Sequence, residues 1–196
     1  MPTVLLLLLM LPVAAALICA RAPAMAGQAV TAVAGVACFG LVLALVPGAG
    51  QPRGYLSFLR VDAISVVFLL ATGFLYAAVG VYSVGYLSRG RGRPGFGRYS
   101  RRLCLGLNLF CWSMLAAPMM SSLALLWIAI EVTTVISALL VAIENTDGAA
   151  EAAWKYLLIA SAGLSLALLA TIFAYYAGSQ VLGEHFSLSY AGLLHA

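Results

Sequence analysis

Two ionisable residues lie where a chain this apolar can least accommodate them. Glu131 stands about midway along LALLWIAIEVTTVISALLVAI, and Lys155, the only lysine, lies just inside the next apolar run. A charged side chain at the centre of a bilayer costs on the order of 3 kcal/mol even on lenient insertion scales, so an intramembrane acid is a functional-site hypothesis by default. A carboxyl at such a depth can exchange a proton with a chain of waters. The competing reading is a permanently neutral glutamic acid hydrogen-bonded between helices. Its neighbours at i−4, i+3 and i+4 are Trp127, Thr134 and Val135. Thr134 is therefore the one expected hydrogen-bond partner on that face.

Lys155 has a plainer alternative. Glu151 precedes it by four residues, the favourable orientation for a helical ion pair. A long side chain that close to a helix end can also snorkel to the surface. Counted from the helix ends, Glu131 lies about 18 Å deep and Lys155 about 9 Å shallower. A direct bridge between them is not expected from position alone.

Composition sets the elements that must hold these residues. The chain is 64% hydrophobic and 8% charged, with mean hydropathy +1.08, far from the roughly one-quarter charged residues of a soluble domain. Apolar runs near or above 18 residues mark membrane-crossing helices. The pattern predicts an all-α polytopic membrane protein with helices over about 3–20, 26–46, 62–87, 103–117, 123–143 and 149–176, then a short tail, 178–196. The first run resembles a secretory signal. It lacks a basic residue ahead of the apolar stretch, and Arg21 follows it, so an uncleaved helix is expected. Gly73, Ala77 and Gly80 share one face of the third helix and suit close helix packing. Asp62 stands where an N-cap would bond the first free N–H groups of that helix.

Six of the ten basic residues, Arg89, Arg91, Arg93, Arg98, Arg101 and Arg102, crowd the connection SRGRGRPGFGRYSRR. This segment contains a literal G-x-G-x-x-G, but no strand precedes it and a proline interrupts it, so a dinucleotide loop is not inferred. The positive-inside rule explains the arginines: they hold this loop in the cytoplasm and leave both termini outside. Contact with lipid headgroups or a peripheral partner is compatible with them, and a nucleic-acid surface is not implied.

The remaining chemistry is sparse. Cys19, Cys38, Cys104 and Cys111 lie within candidate helices with no CxxC spacing, and read as small packing residues. His185 and His195 sit in the tail and read as surface residues. No nucleophile constellation, HExxH or credible phosphate loop is present, so no catalytic residue, metal site or cofactor is expected of this chain.

The stretch LLWIAIEVTTVISALLVAIENTDGAAEAAWKYLLIASAGLSLALL resembles the fifth and sixth helices of the antiporter-like subunits of respiratory complex I and its hydrogenase relatives. WIAIEVTT with EAAWKYLLI is most similar to the F component of hydrogenase-4-type complexes. LRVDAISVVF and YSVGYL, residues 59–68 and 82–87, resemble the third helix of the same subunits. The resemblance implies an ion-translocating subunit of the inner (plasma) membrane, coupled to a redox module on other chains. In that family the glutamate matching Glu131 belongs to a proton half-channel and pairs with a lysine two helices later, and Lys155 matches a lysine of the sixth helix. Such subunits have about fourteen helices, whereas six are read here, without a GKxAxxPxHxWLP-like segment. Three expectations stay open: a fragment, a split subunit completed by a second membrane chain, or a scaffold that does not pump.

Overall fold

The computed structural model describes residues 2–48, 53–56, 58–90 and 95–182. Six long helices carry the fold: α1 (Pro2–Arg21), α2 (Ala24–Leu43), α3 (Ala63–Ser88), α4 (Phe96–Ala116), α5 (Leu123–Val141) and α6 (Asp147–Leu182). Each of the six lies in a span long and apolar enough to cross a membrane. In hydrocarbon the backbone must satisfy its own hydrogen bonds, and a helix does so within one segment. The polytopic all-α expectation therefore holds, with one small addition. Strands β1 (Arg53–Leu56) and β2 (Leu59–Val61) form an antiparallel hairpin ahead of α3, pairing Arg53 with Val61 and Leu56 with Leu59. Leu59 also bridges Met120, and the Ser121 N–H donates to the Phe58 carbonyl at 3.1 Å. The hairpin thus ties the start of α3 to the α4–α5 turn.

Helices α1 to α4 make the packed body. Leu8, Cys38, Val42, Leu69, Leu115 and Met119 are fully buried in its core. The closest approach is between α2 and α3. A Cβ on Gly35 would stand 2.7 Å from the Tyr76 carbonyl oxygen, and one on Gly80 would stand 3.0 Å from that of Thr31. Small residues here let two backbones touch, the usual means of helix association in lipid. Beside this seam lies a polar knot. Buried Asn108 accepts from the Tyr76 hydroxyl and donates to Thr31 Oγ1 at 2.8 Å and to the Cys104 carbonyl at 2.6 Å. Gln28 donates to Ser100 Oγ at 3.1 Å. All four cysteines are buried and free.

Two boundaries differ from the hydropathy reading. Helix α4 begins at Phe96 rather than near residue 103, after Gly95 turns the chain at φ 80°. Its first two turns are amphipathic: Phe96 and Tyr99 pack inward, while Arg98, Arg101 and Arg102 are exposed. Those arginines dilute the hydropathy that marks a span, and so they read as loop. Helix α6 runs 36 residues, about 54 Å at 1.5 Å per residue, longer than a 30 Å hydrocarbon core requires. Residues 178–182, read as tail, continue it.

Candidate functional site

Helices α5 and α6 form a hairpin on the flank of the body. Ser122 caps α5, accepting from the Leu125 N–H at 3.3 Å. A turn containing Asn145, at φ 53°, reverses the chain. Thr146 then caps α6, accepting from the Ala149 N–H at 3.1 Å. Leu140 packs over Gly106 and seats α5 on α4. Among the described residues of α6 only Ala153 is fully buried; Leu157, Leu164 and Leu168 are half-buried, and Ile159, Leu166 and Phe173 are exposed.

Two polar contacts stitch the hairpin. Trp127 Nε1 donates to the Leu164 carbonyl at 2.6 Å. One turn further along α5, Ser161 Oγ donates to Glu131 Oε1 at 2.9 Å. Glu131 Oε2 is shielded too and has no hydrogen-bond partner among the described residues. One oxygen of the carboxyl is thus fixed, and the other remains available for a proton, a water or a group from elsewhere. That asymmetry is the chemical content of the site.

Thr134 does not join it. Its hydroxyl donates to the Ile130 carbonyl of its own helix at 3.0 Å, as β-hydroxyl residues inside apolar helices commonly do. It lines a cleft against α3 and α4 instead. Lys155 also stands apart: its ammonium contacts Glu151 Oε1 one turn earlier, and both side chains are about two-thirds exposed. It lies six residues from Ser161 along α6, about 9 Å of rise and well round the helix. The structure does not bring Lys155 and Glu131 together.

The topology residues are placed as follows. Asp62 caps α3, accepting at Oδ1 from the Ser65 N–H at 2.9 Å and from the Ser65 hydroxyl at 3.0 Å. The Ser65 backbone N–H holds its carboxyl below the usual carboxylate range. The Ser65 hydroxyl and the charge of Arg60 add to that effect, against partial desolvation. Arg60 Nε lies 3.9 Å from Asp62 Oδ2. Arg89, Arg98, Arg101 and Arg102 are exposed. Arg91, Arg93, His185 and His195 lie outside the described residues. Among the described residues no group of three potential metal ligands converges.

The face pattern of α5 alone does not point to Ser161, which lies on the facing helix. The signal was present. In an antiparallel hairpin that turns at Asn145 and Thr146, a residue fourteen places before the turn faces one about as far beyond it. That reflection carries Glu131 to the neighbourhood of Ser161.

Among the described residues these features define a polytopic membrane protein with six membrane-length helices and a half-satisfied carboxyl between α5 and α6. The chain is 30% identical over 136 residues, 65% of its length, to the hydrogenase-4 component F homolog of Methylacidiphilum infernorum (isolate V4). It spans 27% of that relative's length. The resemblance drawn from WIAIEVTT and EAAWKYLLI thus has a counterpart among curated proteins. No family model matches the chain.

Proposed function

We propose that the chain is a proton-translocating membrane subunit, or the N-terminal part of one, in a hydrogenase-4-like or complex-I-like redox complex. The observation that carries this reading is Glu131: a carboxyl midway through a span, with Oε1 held by Ser161 and Oε2 shielded and, among the described residues, unpartnered. On this reading Oε2 is the oxygen that carries the proton while Oε1 keeps the Ser161 bond. Moving one charge against 100 mV takes about 2.3 kcal/mol. That energy comes from redox chemistry on other chains, and the cation facing Oε2 comes from a further membrane segment. The orientation that suits the arginines puts both termini outside the inner (plasma) membrane and the Ser88–Gly95 connection in the cytoplasm.

A second reading has its own support. Lys155 is engaged with Glu151 rather than Glu131, and the Ser161 bond can hold a permanently neutral carboxyl. On that reading the chain is a membrane scaffold or assembly subunit that does not transport.

Purification of the native polypeptide through an N-terminal tag, with its intact mass and co-purifying chains, tests the assembly. The proposal expects oxidoreductase subunits in the preparation. It also expects either a mass far above 20.4 kDa or a second polytopic chain. A mass near that value with no polytopic partner favours the scaffold.

A further inference from the structure

A cleft of about 870 Å³ opens between α3, α4 and α5, with Tyr156 of α6 also in its lining. Its mouth is the corner where β2 meets α3, at Arg60 and Asp62, and its floor is formed by Thr133, Thr134 and Ser137. We propose that this cleft binds the acyl chain of an anionic phospholipid whose phosphate sits against Arg60.

Depth is the first argument. From Asp62 to Thr72 the cleft follows α3 for about 15 Å, and from Leu126 to Ser137 it follows α5 for about 17 Å. Half of a 30 Å hydrocarbon core is about 15 Å, so the slot is one leaflet deep. Its mouth lies at the end of the span and its floor near the midplane.

The lining is the second. Phe68, Phe110, Met114 and Ile130 make apolar walls. The threonines of the floor turn their hydroxyl hydrogens to their own helix, Thr133 to the Ala129 carbonyl at 2.8 Å and Thr134 to that of Ile130 at 3.0 Å. Ser137 and Tyr156 are the remaining polar residues at that end.

Charge at the mouth is the third. Asp62 Oδ1 is occupied by Ser65. The contact of Arg60 Nε with Oδ2, at 3.9 Å, is too long for a hydrogen bond. A guanidinium has five N–H donors, so this loose ion pair leaves capacity for a phosphate, which it matches in shape and charge.

The proposal depends on the helices spanning a bilayer and not on proton transport.

The test is native mass spectrometry of the full chain, delipidated in detergent and titrated with phosphatidylglycerol or phosphatidylcholine. Wild type is expected to retain one phosphatidylglycerol at least tenfold more tightly than phosphatidylcholine. Arg60→Gln is expected to erase that preference, and Ile130→Trp, which fills the slot, to lose retention of both lipids. Ile64→Trp blocks the exposed mouth and serves if Ile130→Trp does not fold, as judged by circular dichroism. Equal retention of the two lipids by wild type overturns the proposal. So does unchanged retention in the blocked variants, or a co-purifying polypeptide seated in the cleft.

Discussion

At Glu131 the question of function reduces to two oxygens of one side chain. Oε1 is committed to Ser161, and Oε2 is buried without a partner among the described residues. Interhelical hydrogen bonds in membranes average about 0.6 kcal/mol and reach about 1.7. Ser161→Ala is therefore expected to lower thermal stability in detergent by that modest amount and leave the fold intact. A loss of several kcal/mol would mean that the serine holds the hairpin together. Asp62 makes a separate prediction. Its folded carboxyl titrates below its ordinary value of 3.8. The contribution of the cap is thus fully present above about pH 4 and is lost as pH falls through the folded value. Asp62→Ala should cost about 0.5–2 kcal/mol near neutral pH, while Asp62→Asn keeps an acceptor and removes the acid-linked loss. Melting curves from pH 3 to 7 separate the three proteins. Glu131 and Asp62 were legible as residues because charge is rare in this chain. Ser161 was not, because a serine in a helix carries no mark until the register of the hairpin is known.

Helices α2 and α3 touch at backbone distance. Gly35→Ala puts a methyl 2.7 Å from the Tyr76 carbonyl oxygen, a rigid neighbour that cannot swing aside, and is expected to cost about 1–3 kcal/mol. Gly40, on the same helix, has nothing within 4 Å of an added Cβ. Gly40→Ala should be neutral or stabilising by up to about 1 kcal/mol. Thermal melts of the pair decide, and equal behaviour would contradict the close seam. Asn108→Leu removes the hub from Tyr76 and Thr31 and should cost about 1–3 kcal/mol through the groups left unsatisfied. The six spans were legible because apolar length is a strong signal. The early start of α4 was hidden by Arg98, Arg101 and Arg102, which are polar on one face only. The far end of α6 and the β1–β2 hairpin were missed because both are defined by packing and turn geometry rather than by apolar length.

Across the whole chain, a packed four-helix body carries a less covered α5–α6 hairpin, and the carboxyl lies within that hairpin. The chain spans 27% of the length of the curated relative it matches, and the outer face of α6 is apolar and exposed. Orientation is open to direct measurement. The native thiols are at most 7% exposed, which leaves a low background for labelling. An impermeant maleimide is expected to label Phe58→Cys in intact cells and Gly97→Cys only after the membrane is opened. The reverse pattern would put the arginine connection outside.

Proton uptake by sealed vesicles carrying the assembled complex, with Glu131 intact or changed to Gln, tests the central claim most directly. Glu131→Gln keeps the side chain's shape and an acceptor for Ser161 while removing the exchangeable proton. Uptake driven by the redox reaction is expected to fall to background with assembly and helical content unchanged. Uptake equal to that of wild type would contradict the account and leave Glu131 a structural residue.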